Sequence, residues 1–524
     1  MTGAAETSPS IRYLKPFLGR YDAAIIGAGI CGAAAAYELS RYKLSVVVLE
    51  RENDPAMGTT RANTGIIHAG YDPPPGSLMA RLNVEGAALA PELCRKLDVP
   101  SRRTGSLVLA FTAEDERRIR ALYDRGQRNG AAALELLSGP QTLALERRIN
   151  PAVRGALRAR NALVVNPWEY ALALLETALR NGVELLLSAE ALSVERDPDE
   201  SGGRWRIATR RGIIESRFVI NAAGLQSDRV HNMAAPPAFT IKSGRGAYYL
   251  LDKSEGDTVG HIIFQCPSET GKGVTVTPTV HGNLLAGPNF ESPPEREDVS
   301  TTACGLEEIA RKVRLSVPDI NLAASIRSFA GNRASAAGIS SGPAGPVETG
   351  GMAMIEDFII TEAAPRFFDC AGIKSPGLSS APAIARYLVT LLEKAGLPLE
   401  AKPAAAFIDS RRRLRFAELP PEERAALVRK NPAWGRVICR CETITEGEIL
   451  AAFAAPIPPR TLDAVKRRCG PGMGRCQGGF CGPRVLELIA RHFGAPPEEV
   501  LQDGEGSFVL SGVLSGGFDK KVSE

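Results

Sequence analysis

The sequence predicts an α/β protein. It has a Rossmann-like nucleotide-binding domain, an inserted substrate domain of mixed, largely antiparallel β-sheet, and a small α-helical domain towards the C-terminal end. Three observations carry this expectation. Residues 21–51 read as strand, Gly-x-Gly-x-x-Gly, helix, strand, acid. Residues from about 240 to 330 break into short β-rich runs. Five of the ten cysteines crowd into 439–481.

The nucleotide unit comes first in the chain. Tyr21–Ile26 is a short apolar strand, Ala33–Arg41 has helical composition, and Leu44–Leu49 is a second, β-branched strand closed by Glu50. Each glycine has a physical task. Gly27 permits the sharp exit from the strand, Gly29 lets backbone approach a pyrophosphate, and Gly32 lets the helix pack on the strand. The helix N-terminus offers free N–H groups to negative charge. Glu50, eighteen positions after Gly32, can accept both hydroxyls of an adenosine ribose.

Further along, residues 59–70 (TTRANTGIIHAG) form a small polar loop able to pass close to a ligand. Residues 80–97 and 112–129 carry helical periodicity, with a strand at 106–111 between them. The strand 216–221 runs into Ala222, Ala223 and Gly224, where a cofactor can lie against backbone; Ala191 is assigned to the same cofactor set. Residues 340–352 are a Gly/Pro/Ser-rich loop, read as a surface excursion rather than a lid. The strand 367–371 leads through Gly372 to a helix over 379–394, a second helix N-terminus after a glycine turn. Residues 1–20 read as a lead-in with no regular structure.

Composition excludes several classes. Sixty-three basic against 59 acidic residues give a net charge of +4, which provides no footprint for nucleic acid. The start of the chain has no signal-type apolar core, and no apolar run approaches the ~20 residues that span a bilayer. The expectation is a cytoplasmic protein, with membrane contact only peripherally through a partner. Clustered cysteines in such a compartment favour metal ligation over disulfides.

Taken together, GAGICG with Glu50 and Arg51, the 59–70 loop, VINAAGLQSD (219–228), RGAYYLL (245–251), SFAGNRA (328–334) and AGIKSPGLSSAPAIA (371–385) resemble the flavin oxidoreductases of the D-amino-acid-oxidase type. The glycerol-3-phosphate dehydrogenase and L-2-hydroxyglutarate oxidase branches are the nearest likenesses. The resemblance implies FAD as the dinucleotide. It implies that Thr60, Asn63, Thr64 and Gly65 line the flavin, and that Gly372, Gly377, Leu378 and Ser379 close over its pyrimidine end. A helix N-terminus there suits the negative N1/O2 edge of reduced flavin. The flavin domain is expected at 21–90, 150–235 and 350–400, and the substrate domain at 91–149 and 236–349. A linker is expected at 401–435, a 2Fe–2S domain at 436–495 and a tail at 496–524.

Cys439 and Cys441 form a C-x-C pair; Cys476 and Cys481 follow as C-x4-C. Side chains two apart in an extended segment point the same way, so C-x-C aims two thiolates at one point. Thr445 to Glu448 is a capping-box pattern, and Pro483 suits the first turn of a helix near Gly482. Zinc and four free thiols compete with iron–sulfur for this pattern. The region resembles the small 2Fe–2S domain of bacterioferritin-associated ferredoxin, and the flavin context favours a group that carries electrons. Cys469 is read as a neighbour, not a ligand. Cys31, Cys94, Cys266, Cys304 and Cys370 are read as small core residues.

The chemistry implied is FAD-dependent oxidation of a small anionic secondary alcohol, glycerol 3-phosphate first. L-2-hydroxyglutarate or another 2-hydroxy acid, an amine, opine or proline-type substrate, and a non-catalytic electron-transfer subunit remain alternatives. His68, one of five histidines, lies in the flavin loop and suits either the base or a group that holds the flavin. Arg333 and Lys374, ahead of Arg245, are the candidate cationic anchors, and Tyr248 or Tyr249 can line the pocket. Electrons are expected to leave through the cluster to a second flavoprotein or other accepting subunit.

Overall fold

The computed structural model describes residues 16–197, 203–267, 273–338, 347–349 and 352–512. The chain divides into two compact units: Ser325–Arg327 and Arg412 onward form one, and the rest of the chain up to Arg411 forms the other.

In the larger unit the strand Phe17–Ile26 is central to an eight-stranded sheet among the described residues. Ile213–Asn221 and Val46–Leu49 pair with it in parallel on either side. Glu184–Leu186 and Phe367–Ala371 extend the parallel set. Val46–Leu49 is buried at every position, as a strand covered on both faces requires. The first strand starts earlier than the sequence suggests, because Gly19 and Arg20 pair with Ile214 and Glu215. The expected lead-in therefore shrinks, and its residues 1–15 lie outside the described set. The helix Ile30–Leu39 packs on Pro167–Arg180 and Gly377–Lys394, the last being the helix expected after Gly372.

The second sheet has ten strands among the described residues. Ile262–Gln265 runs parallel to Ser106–Ala110, while the strands that flank these two, and Phe239–Leu251 with Leu284–Gly287, pair antiparallel. One face packs Leu107, Leu251, Ile263 and Val276 against Ile309 and Val313 of the helix Ala303–Ser316. Gly155–Ala159 pairs with both Ser106–Ala110 and Leu134–Ser138. Residues 150–159 thus belong to this sheet, although the sequence reading put them in the flavin domain. Backbone pairing across a hairpin is not visible in composition. In the 340–352 stretch, Val347–Thr349 pairs with Met352–Ile355, so at least this part is sheet and not loop; residues 339–346 and 350–351 lie outside the described set.

The expected linker 401–435 is not a free connection. Arg411 is buried between Glu176 (2.6 Å) and Glu169 (3.5 Å), and the Lys402 ammonium donates to the Ser40 carbonyl at 3.0 Å, so 402–411 straps onto the larger unit. Pro421–Lys430 and Pro432–Gly435 belong to the smaller unit, where Trp434 packs so closely on Gly447 that a methyl group there would lie 2.4 Å from the indole.

The smaller unit contains the helices Glu446–Phe453, Leu462–Cys469 and Gly482–Phe493 around Ile449, Val465, Val485 and Ile489. Thr445 and Glu448 form the expected capping box, and Pro483 lies in the first turn of its helix. The tail from 496 folds back: Val500 joins this core, and Leu462 N–H donates to the Leu501 carbonyl at 3.1 Å.

Candidate active site and metal centre

The three glycines of the first turn meet three different constraints. Gly27 has φ +107°, and a methyl group on it would lie 2.4 Å from the Ala222 carbonyl oxygen. One on Gly32 would lie 1.9 Å from the Gly27 carbonyl oxygen. Gly29 caps the helix in extended conformation, and its side faces only Thr60 Oγ1 at 3.3 Å. Close packing thus demands Gly27 and Gly32, whereas the space beside Gly29 is open, as pyrophosphate binding needs. Thr60 Oγ1 accepts from Ile30 N–H at 3.0 Å, tying the flavin loop to the helix N-terminus.

Glu50 is buried, and burial lifts its pKa. Its two oxygens accept from Ala28 N–H (2.8 Å) and Glu52 N–H (3.0 Å). A carboxylate has about four acceptor sites, so capacity for ribose hydroxyls remains. Arg51 is engaged by Glu52 at 2.9 Å and by Glu297. Ala223 and Gly224 follow the strand beside the glycine turn, at the C-terminal edge of the parallel sheet. Ala191 packs in the core with Ile26 and Leu49.

The flavin loop is stapled from within and from outside. Asn63 donates to the Thr59 and Thr60 carbonyls and accepts from Gly65 N–H at 2.8 Å, with Thr64 between them. His68 N–H donates to Ser379 Oγ at 2.8 Å, and buried Asn83 donates to the His68 carbonyl at 3.1 Å. Ser379 also donates to Ile66 O at 3.3 Å, so its hydroxyl joins the loop to the helix that begins Gly377, Leu378, Ser379. Gly372 precedes this helix, with the Lys374 N–H donating to its carbonyl at 2.9 Å. The His68 ring lies 5.8 Å from the Phe264 ring of the second sheet.

That sheet presents one face to the loop. A methyl group on Gly331 would lie 2.0 Å from the Ala62 carbonyl oxygen. Phe329 and Arg333, two residues either side of Gly331, share its face. Tyr248 of the neighbouring strand stacks on Phe329 at 4.8 Å. Burial pushes the Tyr248 phenol up, against the opposing charge of Arg333. Among the described residues Arg333 has no carboxylate partner.

The other two candidate cations are taken. Arg245 is buried and paired with Glu291 at 2.6 Å and with Asp298. Lys374 Nζ donates to Glu356 at 3.2 Å and to the Ile355 carbonyl at 3.3 Å. Tyr249 packs against the core on the opposite face. Phe264, Phe329 and Gly331 were given no site role from sequence; the period-two spacing of Phe329, Gly331 and Arg333 signals two of them, and no local pattern signals Phe264.

The cysteines stand as two contacting pairs. Cys441 and Cys476 are exposed, their sulfurs 3.5 Å apart; Cys439 and Cys481 are buried and hydrogen-bonded. The Cys481 thiol donates to Cys439, which with Gly472 and Glu442 N–H groups pulls the Cys439 thiol down to about 6 against burial. Cys481, the donor, is pushed up. A methyl group on Gly474 would lie 2.4 Å from Cys441 Cβ, so glycine is needed for the pairs to close. Among the described residues no three or more His, Cys, Asp or Glu side chains gather around one metal position. Two thiol pairs suit two irons better than one tetrahedral zinc. The Cys469 thiol donates to the Val465 carbonyl at 3.5 Å within its own helix, consistent with a non-ligand.

Residues 22–391 match the family described as FAD dependent oxidoreductase, and residues 437–491 match the BFD-like 2Fe–2S binding domain. The chain is 44% identical to a glycerol 3-phosphate dehydrogenase of Caloramator mitchellensis over 94% of this chain and 98% of that one. It is 31% identical to a glycerol 3-phosphate oxidase of Mycoplasma genitalium over 71% of this chain and 94% of that one. Among solved structures it resembles the dithionite-reduced L-alpha-glycerophosphate oxidase of Mycoplasma pneumoniae with FAD bound, with TM-score 0.67 and 29% identity over 75% of this chain and 98% of that one. The open cradle at Gly29 and the paired thiols fit the cofactors these families bind, FAD and a 2Fe–2S cluster. The chain belongs to the FAD dependent oxidoreductases and carries a BFD-like 2Fe–2S binding domain C-terminal to its flavin unit.

Proposed function

We propose that this enzyme oxidises glycerol 3-phosphate at its secondary alcohol to the ketone and passes the electrons to a partner protein. The observation that carries the substrate is Arg333, a cation without a carboxylate partner among the described residues, on the sheet face against the flavin loop. An anionic substrate supplies its missing counter-charge. The named activities of the relatives from Caloramator and Mycoplasma favour the phosphate over a 2-hydroxy acid. Bound FAD supplies the hydride acceptor and the cluster a one-electron exit.

His68 takes the hydroxyl proton as the C–H bond breaks. Its backbone is pinned by Ser379 and Asn83, and its ring lies beside Phe264. Arg333 holds the phosphate, and Tyr248 with Phe329 walls the pocket from water. Hydride transfer delivers two electrons and a 2Fe–2S cluster takes one at a time. Cys439, Cys441, Cys476 and Cys481 would hold the cluster, which would supply one-electron transfer to an acceptor, a second flavoprotein in this reading; Cys441 and Cys476 are the exposed pair. The ten cysteines form no disulfide, and no helix among the described residues is long and apolar enough to cross a membrane.

Anaerobic addition of glycerol 3-phosphate tests the reading. Flavin and cluster absorbance should both bleach, and a one-electron dye should restore them faster than oxygen does. Flavin reduction with an unchanged cluster and rapid reoxidation by oxygen would refute the electron exit; no reduction by glycerol 3-phosphate alongside reduction by L-2-hydroxyglutarate would refute the substrate.

A further inference from the structure

We propose that Phe290 is a positioning residue for the anion anchor: its ring holds the Arg333 guanidinium in place before substrate arrives. The inference rests on Arg333 being the phosphate anchor.

Phe290 is 64% exposed. A lone exposed aromatic carries no meaning in itself. Here the backbone on both sides of it is clamped. Arg245 and Glu291 exchange backbone hydrogen bonds, both 2.8 Å. Asn289 Oδ1 accepts from Ala247 N–H at 2.8 Å, and Asn289 Nδ2 donates to Glu291 Oε1 at 3.0 Å. The Arg245–Glu291 ion pair closes the clamp from the side chains.

The strand beneath is cleared for the ring and for the backbone that leads into it. Gly244 and Gly246 are two apart and share one face of Phe239–Leu251. A methyl group on Gly244 would lie 2.5 Å from Phe290 Cε2; one on Gly246 would lie 2.7 Å from Pro288 Cβ and 3.0 Å from the Asn289 carbonyl oxygen, with an Arg333 terminal nitrogen in ordinary contact at 3.5 Å. The Arg333 guanidinium carbon sits 5.9 Å from the Phe290 ring centroid. The ring quadrupole attracts the cation without neutralising it, unlike a carboxylate, so its full charge is left for an anion. The contact also restricts a long side chain that would otherwise lose its rotamer freedom on binding phosphate.

The test uses the full-length holoenzyme with Phe290→Ala, Phe290→Trp and Arg333→Met. Steady-state kinetics with glycerol 3-phosphate and an artificial dye give KM and kcat. Calorimetric titration with dihydroxyacetone phosphate, the ketone product, gives a Kd that does not depend on turnover. Phe290→Ala should raise KM and Kd about two- to fivefold, with kcat within about twofold and flavin content unchanged. Phe290→Trp should restore both, since the larger π-face serves the same purpose. If Arg333→Met weakens binding while Phe290→Ala leaves KM and Kd at wild-type values, the positioning role is wrong and the anchor stands. A Phe290→Ala loss confined to kcat, or one that tryptophan does not rescue, also overturns the role. If Arg333→Met leaves KM and Kd unchanged, the anchor assignment itself falls.

Discussion

Alanine at Gly29 and alanine at Gly32 should fail in different ways, although the two positions lie three residues apart in one motif. At Gly32 the new methyl group would sit 1.9 Å from the Gly27 carbonyl oxygen and 3.0 Å from its carbon, both backbone atoms. The helix has to move off the first strand, and overpacking of this kind costs about 1–3 kcal/mol or more. At Gly29 the methyl group meets only Thr60 Oγ1 at 3.3 Å, and the residue already has extended φ and ψ. A few tenths of an ångström of movement by one hydroxyl suffices, so apo-protein stability should change by less than about 1 kcal/mol. The same methyl group stands where pyrophosphate must touch backbone. Losing a single hydrogen bond to a charged group, worth about 1.5–3 kcal/mol, raises Kd about ten- to 150-fold. The assay is paired: thermal unfolding of flavin-free protein, then titration with FAD followed by fluorescence quenching. Gly29→Ala should melt like wild type and bind FAD weakly. Gly32→Ala should melt lower with or without FAD. If Gly29→Ala binds FAD at wild-type affinity, or if it destabilises apo-protein as much as Gly32→Ala does, the division of labour among the glycines is wrong.

Other outcomes follow from the same geometry. Protein prepared anaerobically should contain about two irons and two acid-labile sulfides per chain. Cys476→Ser should lose or alter the cluster spectrum, whereas Cys469→Ser should keep it; stoichiometric zinc in place of iron would count against the cluster. His68→Ala should slow anaerobic flavin reduction far more than it weakens FAD binding, and stopped-flow absorbance separates the two. Burial opposes ionisation of Glu291, but bonds from Arg245, Thr302 and Asn289 hold its pKa below the usual glutamate value. A depressed folded-state pKa stabilises above the unfolded value of about 4.3, and that contribution is lost as pH falls through the folded value. Melting temperature should therefore fall below pH of about 4, and less steeply in Glu291→Gln; identical slopes would refute this.

Much of the scaffold was legible because its determinants are local. The exit at Gly27, the approach at Gly29 and the contact at Gly32 each follow from the absence of a Cβ within one turn of chain. The capping box at Thr445 and Glu448 spans three residues and formed as read. The β-branched run over 44–49 was read as a strand, and the structure forms one at Val46–Leu49, buried at every position. Domain edges were less legible. Gly155–Ala159 joins the second sheet through backbone pairing with strands on either side of a hairpin, and the strap at 402–411 is held by Glu169 and Glu176 from a helix far earlier in sequence.

The cations show why the site was harder to read than the fold. Arg245, Arg333 and Lys374 each lie in a motif that the resemblance puts near the flavin, and nothing in their local sequence separates them. The separation comes from their partners. Asp298, 53 residues from Arg245, and Glu291 neutralise it in the interior, while Glu356 takes Lys374. Arg333 meets an aromatic ring instead of a carboxylate. A cation's availability to a substrate is set by what else can pay its desolvation, and those groups arrive from other strands. The charge proposed to meet the substrate is therefore fixed by tertiary pairing, and it becomes readable only when the Gly244 to Gly246 strand, the Glu291 clamp and the Arg333 strand are seen side by side.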